Sequence, residues 1–139
     1  VKYLVDTNVI SELRKGPRCN RGVAAWFAGV PSGDLYLSVL TVGEIRKGIE
    51  TIRRRDPLAA GALETWLLDL LAVHSDRILP LDLPVADLWG RFNAAAPLPA
   101  VDSLLCATAR HHRLTLVTRN LADVSRTGVE CLDPFSGPG

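Results

Sequence analysis

Short apolar runs alternate with longer stretches of helical periodicity along the whole chain, and this alternation narrows the fold more than any single residue does. Strands are predicted at Lys2–Asp6, Leu35–Ser38, Arg77–Leu81, Leu114–Thr118 and Val129–Leu132. Helices are predicted between them. The first runs from Thr7 to about Lys15, where Gly16-Pro17 stops it. The second covers Val23–Ala28 and ends at Gly29. The third runs from about Thr41 to Arg55, with Val42, Ile45, Ile49 and Ile52 at helical spacing. The fourth opens on Pro57, a residue suited to a first helical turn, and continues to Val73. The fifth spans about Val85 to Ala96, the sixth Ala100–His112, and a short turn follows at about Leu121–Ser125. Such a pattern predicts an α/β domain of three layers, a central parallel sheet of about five strands with helices on both faces. A single domain over residues 1–135 is expected, with a flexible tail at residues 136–139.

Composition excludes several classes. The most apolar stretch, Ala62 to Val73, is interrupted by Glu64 and Asp69, so it reads as a core helix rather than a membrane span. The opening residues lack the basic-apolar-small pattern of a secretory leader. Cys19, Cys106 and Cys131 are odd in number and have no metal-like spacing, which together point to a reducing cytoplasm. A net charge of +1 neither favours nor excludes nucleic acid, because an acidic pocket and a local basic surface cancel in the sum.

The chemistry lies in four acids. Asp6 ends the first strand, and Glu44, Asp102 and Asp123 each fall near the start of a predicted helix. Each has a local explanation. Asp6 suits an N-cap, Thr41-Val42-Gly43-Glu44 has the form of a capping box, and Asp102 and Asp123 suit first helical turns. The set asks for more than caps. If the strands are parallel neighbours, their carboxyl ends share one edge, where open α/β sheets bind ligands. Two ionised carboxylates about 5 Å apart repel by roughly 3 kcal/mol at an effective dielectric near 20. A divalent cation removes that cost, and an oxygen-only donor set selects Mg²⁺ or Mn²⁺ over Zn²⁺. His74, His111 and His112 lie far from the acids in sequence and read as surface or helix-end residues. Thr7, Asn8, Thr118 and Asn120 flank the acids. They suit either local turn bonding or the orientation of the carboxylates.

Four segments carry a resemblance. They are Leu4-Val5-Asp6-Thr7-Asn8-Val9-Ile10-Ser11-Glu12-Leu13, Val42-Gly43-Glu44-Ile45-Arg46-Lys47-Gly48, Pro99-Ala100-Val101-Asp102-Ser103-Leu104-Leu105-Cys106-Ala107-Thr108-Ala109, and Leu116-Val117-Thr118-Arg119-Asn120-Leu121-Ala122-Asp123. In order and spacing the chain resembles PIN-domain proteins, specifically the VapC-type toxins of bacterial toxin–antitoxin pairs in the subgroup similar to FitB. The resemblance implies a PIN-like fold and a Mg²⁺- or Mn²⁺-dependent endoribonuclease. It implies a homodimer and a cognate VapB-type antitoxin that occludes the site and alone contacts operator DNA. Asp6, Glu44, Asp102 and Asp123 match the family's four acids, with Asp6 and Asp102 as the direct metal ligands, and Thr7 matches the small hydroxyl after the first acid. Two departures from the pattern are visible. Val124 follows the fourth acid where the family often has an aromatic, and Ser103 and Cys106 stand where alanines are common.

On this reading Arg46, Lys47, Arg110 and Arg119 are candidates to steer RNA. A phosphoryl-transfer domain with Asp6 as nucleophile fits less well, because Asn8 stands where a second acid is needed. A third possibility is a non-catalytic subunit that joins an antitoxin in a DNA-bound repressor complex.

Overall fold

The computed structural model describes residues 1–95 and 97–136. Its five strands are β1 (Tyr3–Val5), β2 (Leu35–Ser38), β3 (Ile78–Leu79), β4 (Thr115–Val117) and β5 (Cys131–Leu132). All pairings are parallel, in the order β3-β2-β1-β4-β5. The helices are α1 (Thr7–Leu13), α2 (Arg21–Ala28), α3 (Val39–Arg53), α4 (Pro57–Val73), α5 (Leu83–Ala95), α6 (Ala100–His112) and α7 (Leu121–Val124). The predicted α/β architecture is the observed one.

Alternation along the strands builds two cores. Val5, Leu35, Leu37 and Val117 point to one face and pack with Val9, Ile10, Val23, Ile45, Ile49 and Leu67 of α1 to α4. Leu4 and Leu116 point to the other and pack with Leu105, Cys106, Ala109 and Val124 of α6 and α7. With both faces covered, the buried positions Leu4, Val5, Leu35, Leu37, Leu116 and Val117 of the central strands are all apolar, as buried parallel strands require, and the polar Ser38 and Thr115 stand at strand ends. Val124, where the resemblance would place an aromatic, is buried here. Cys106 is equally buried, and burial pushes its thiol up to about 11, so it is a packing residue. All three cysteines are free.

Several boundaries differ from expectation for local reasons. The edge strands β3 and β5 are two residues each, shorter than predicted, since each pairs on one side only. Helix α3 begins at Val39, not Thr41, because the Ser38 hydroxyl accepts from the Leu40 amide at 3.0 Å and caps it. The capping box expected at Thr41 and Glu44 therefore does not form. Asn20 caps α2 through the Val23 amide at 3.1 Å, and the Asp82 carboxylate accepts from the Val85 amide at 3.2 Å at the start of α5. Helix α1 stops at Leu13, and Gly16 takes a positive φ of 59° in the turn that follows. Ser136 closes a 3₁₀ turn at Pro134–Ser136; the rest of the expected tail, 137–139, lies outside the described residues, as does Ala96 at the expected end of the fifth helix. Among the described residues no helix is long and apolar enough to cross a membrane.

Helix α6 ends without glycine. Arg113 adopts the left-handed conformation at φ 58°, while the Leu114 amide donates to the Ala109 carbonyl and the Arg113 amide to the Arg110 carbonyl. This is the hydrogen-bond pattern of a Schellman stop, normally built on glycine. A side chain in that conformation costs roughly 1–2 kcal/mol. Arg113→Gly should therefore stabilise the fold by about 1 kcal/mol, raising the melting temperature by roughly 3–5 °C. Thermal denaturation checks this, and an unchanged or lower melting point would contradict the strain.

Candidate active site

The chain leaves β1 toward β2 and β3 on one side, and later returns to place β4 and β5 on the other. Strand order thus reverses between β1 and β4, the switch point where the carboxyl edge of an open sheet forms a crevice. Asp6 lies one residue beyond the Val5–Val117 pair, and its amide donates to the Val117 carbonyl at 2.9 Å. Thr118 stands opposite it. The two residues that flank the crevice are therefore fixed by sheet register.

Asp6 is buried, at 7% exposure. One carboxylate oxygen accepts from the Thr7 amide at 2.6 Å, so the expected N-cap exists. The other accepts from the Thr118 hydroxyl at 2.8 Å and from the Asn8 amide group at 3.4 Å. The Thr118 hydroxyl, itself fully buried, accepts from the Asn120 amide at 3.1 Å, so its single proton is committed to Asp6. The Asn120 side chain donates to Asp102 at 3.0 Å. On the other side, the Thr7 hydroxyl donates to Glu44 at 2.5 Å. A continuous chain of hydrogen bonds thus runs from Glu44 through Thr7, Asp6, Thr118 and Asn120 to Asp102. Thr7, Thr118 and Asn120 hold acids as well as turns, and Asn8 joins Asp6 to the Arg119 amide at 3.2 Å.

Asp102 and Asp123 both stand in the first turns expected of them, those of α6 and α7, though neither bonds its helix as a cap. Asp102 is in the first turn of α6 but bonds Asn120 rather than the helix, whose start has no side-chain cap. Asp123, half-buried in α7, caps nothing.

Electrostatics tie the four acids together. Burial pushes the Asp6 carboxyl above its ordinary 3.8; the bonds from Thr118 and Thr7 pull it back, and the charges of Asp102 and Glu44 push it up again. Burial also raises Asp102, opposed by the Asn120 bond and reinforced by the charges of Asp123 and Glu44. Among the described residues, no basic side chain lies within ion-pair distance of any of the four. By contrast, Glu12, Glu50, Glu64, Asp76 and Asp87 all have Lys or Arg partners. The repulsion at the crevice is left uncompensated by the protein. This oxygen-rich, anionic set fits a hard divalent cation. No three acidic, histidine or cysteine groups among the described residues already converge on one ion position. Mg²⁺ commonly takes only one or two carboxylates directly and reaches the others through water, so a looser cluster suffices.

The basic candidates separate. Arg46 donates to Glu64 at 2.6 Å and to Glu50 at 3.2 Å, and with Arg53 it clips α3 to α4. Its charge is already spent. Arg110 lies two turns along α6 from Asp102, about 12 Å by helical rise. It shares a cleft with Arg113, Thr115 and Glu130 at the amino edge of the sheet, away from the acids. Lys47 is exposed one turn from Glu44 and lines the same open groove on α3. Arg119 stays beside Asn8, with its guanidinium stacked 3.9 Å over the Phe135 ring. Sequence reading missed Phe135, because no local signal links positions sixteen residues apart. His74, bonded to the Leu70 carbonyl at 3.0 Å, and the adjacent His111 and His112 stand apart from the acids.

The raised carboxyls set a sign for pH dependence. A carboxyl whose folded value exceeds its unfolded value favours folding below the unfolded value and loses that contribution as pH rises through the folded one. With divalent ions chelated, the protein should lose stability as pH climbs from about 4 toward neutrality. Asp102→Asn should flatten that decline while retaining the Asn120 bond. Melting temperatures measured across this range in chelator check it, and parallel curves for the two proteins would contradict it.

The matching family model is the PIN domain, over residues 3–128. Toxin FitB of Neisseria gonorrhoeae is 34% identical, the match covering 95% of this chain and 97% of FitB. VapC ribonuclease Y4jK of Sinorhizobium fredii is 32% identical over 95% of this chain and 96% of that protein. The crystal structure of FitAcB from Neisseria gonorrhoeae contains a chain that superimposes with a TM-score of 0.89 at 33% identity, covering 96% of this chain and 99% of that one. A chain in the structure of FitAB bound to the IR36 DNA fragment does so with a TM-score of 0.90 at 31% identity, covering 99% and 98%. With its fold, its switch-point acids and these relatives in agreement, this chain belongs to the PIN-domain family.

Proposed function

We propose that the chain is the toxin of a toxin–antitoxin pair, an endoribonuclease that hydrolyses RNA phosphodiester bonds with Mg²⁺ or Mn²⁺. The observation that carries this is the hydrogen-bond chain that joins Glu44, Asp6 and Asp102 at the switch point, with Asp123 felt by Asp102 and no basic partner for the four among the described residues. Asp6 and Asp102 would hold the cation directly, with Glu44 and Asp123 acting on it through water. When bound, the cation supplies a Lewis acid for the phosphate and makes water more acidic at neutral pH.

The chain's own residues do the rest. Thr7 and Thr118 pin both Asp6 oxygens, so Asp6 cannot rotate away from the crevice. Asn120 holds one Asp102 oxygen, and the other has no donor among the described residues. Glu44 is exposed and, among the described residues, held through Thr7 alone, which suits it to orient an attacking water. Lys47, one turn away, supplies positive charge at the rim.

Partner binding belongs to the same reading. Toxin FitB and VapC ribonuclease Y4jK lend the toxin and ribonuclease roles, and FitAB bound to DNA suggests that an antitoxin carries this chain to operator DNA. An apolar cleft of about 380 Å³ between α1, α2, β2 and α4, lined by Ile10, Leu13, Phe27, Trp66 and Leu70, supports an apolar partner segment. Phe27 is 43% exposed there, a cost that a partner would relieve. Homodimerisation and a cytoplasmic location complete the proposal.

Asp6→Asn and Asp102→Asn should each lower RNA cleavage by roughly 100-fold or more with the fold retained. Mg²⁺ or Mn²⁺ at a hundred times its Kd should stabilise the parent by about 2.7 kcal/mol, and either variant by much less. Cleavage assays and circular dichroism melts check these outcomes. Full activity in either variant defeats the assignment. Absent cleavage by the partner-free parent would leave the non-catalytic repressor subunit as the function.

A further inference from the structure

We infer that Arg119, placed over the Phe135 ring, is a binding subsite for an RNA phosphate flanking the scissile one; this rests on the ribonuclease reading above. Four arginines of the chain, Arg46, Arg53, Arg77 and Arg91, spend their guanidinium groups on carboxylates. Arg119 does not. Its side chain has no hydrogen-bond acceptor and no ion-pair partner among the described residues. Yet it is not loose. The guanidinium lies 3.9 Å from the Phe135 ring centroid, well inside the range of a cation–π contact.

Stacking and hydrogen bonding use different parts of a guanidinium. The ring covers a face, while the N–H donors radiate in the plane. Arg119 is therefore oriented without spending a donor, and its fork remains available to a phosphate. Phe135 is fixed in turn, because it packs against the core beneath α1 to α4 and its amide donates to Asp133 at 2.9 Å.

Position gives the ligand. The Arg119 amide donates to Asn8, whose side chain donates to Asp6, so the arginine is tied to the first acid through one residue. It follows Thr118 directly, at the carboxyl edge of β4. Asn8 lies in α1, so its bond to the Arg119 amide sets Arg119 against the start of that helix. The carboxylate of Glu12 is already occupied by Lys15 and the Asn20 amide. An RNA strand whose scissile phosphate approaches an anionic crevice needs a cation on a neighbouring phosphate to offset the repulsion. Arg119 is the preoriented arginine at that edge.

The test uses the full chain carrying Asp102→Asn, so that RNA is not consumed, and a short fluorescein-labelled oligouridylate and oligoadenylate. Arg119→Ala should weaken binding of both by roughly tenfold or more, the scale of one charge-assisted contact. It should also reduce the slope of log Kd against log salt by roughly 0.7–1, as loss of one phosphate contact does. Arg119→Lys should recover the salt slope and part of the affinity. Phe135→Leu should weaken binding less than Arg119→Ala, with the salt slope kept. In the cleaving protein, Arg119→Ala should raise KM more than it lowers kcat.

Unchanged affinity and salt slope in Arg119→Ala, beside a parent that binds RNA, would overturn the subsite while leaving the nuclease reading intact. A lowered melting point with unchanged KM would mean that the stack merely anchors the chain end. Loss of capture by the antitoxin, with RNA affinity intact, would assign Arg119 to a protein partner instead. A parent that neither binds nor cleaves RNA would overturn both readings together.

Discussion

The burial of Asp6 and Asp102 beside other acids is the constraint around which the site is arranged. Neutral donors manage it, and among the described residues no basic side chain is paired with Asp6, Glu44, Asp102 or Asp123. Thr7, Thr118 and Asn120 stabilise individual carboxylates by hydrogen bonds, which lower carboxyl values, while burial and neighbouring charge raise them. For Asp6 and Asp102 the raising effects prevail. A salt bridge to lysine or arginine would have settled the charge permanently and left nothing for a cation to gain. The donors instead fix geometry and leave the negative charge unpaired.

The sheet makes this arrangement rigid. Asp6 and Thr118 face each other because β1 and β4 are paired in register, and the strands are covered on both faces by apolar layers. A slip of one residue would turn Leu4, Val5, Leu116 and Val117 to the wrong faces and separate Asp6 from Thr118 at once. Core packing and site geometry are thus enforced by the same register. Elsewhere the chain spends its charges conventionally. The Arg46, Arg53, Glu50 and Glu64 cluster joins α3 to α4, and its exposed pairs contribute modestly to stability.

Much of this was legible in the residues. The strand and helix alternation gave the element order, since period-two and helical patterns are local properties. The acids were visible because each stands at an apolar run's end or a helix start. The hydrogen-bond chain that joins them was not. Thr118 and Asp6 are 112 positions apart, and Asn120 could serve a turn as easily as Asp102. The capping box at Thr41 and Glu44 matched a local motif, yet Ser38 captured the helix start two residues earlier. Arg46 and Arg110 had the right charge for RNA, but helix packing paired one and carried the other to the far edge.

The sequence by itself determined which side chains are available and the class of fold that presents them, because hydrophobic periodicity and turn residues act over a few positions. Only the tertiary structure decided which of those side chains share an electrostatic environment. Strand order brought β4 beside β1, and from that placement follow the pinned Asp6, the donor bridge to Asp102 and the arginine stacked on Phe135. Coulomb and hydrogen-bond terms depend on distance in space, and a linear chain does not encode that distance until its core has packed.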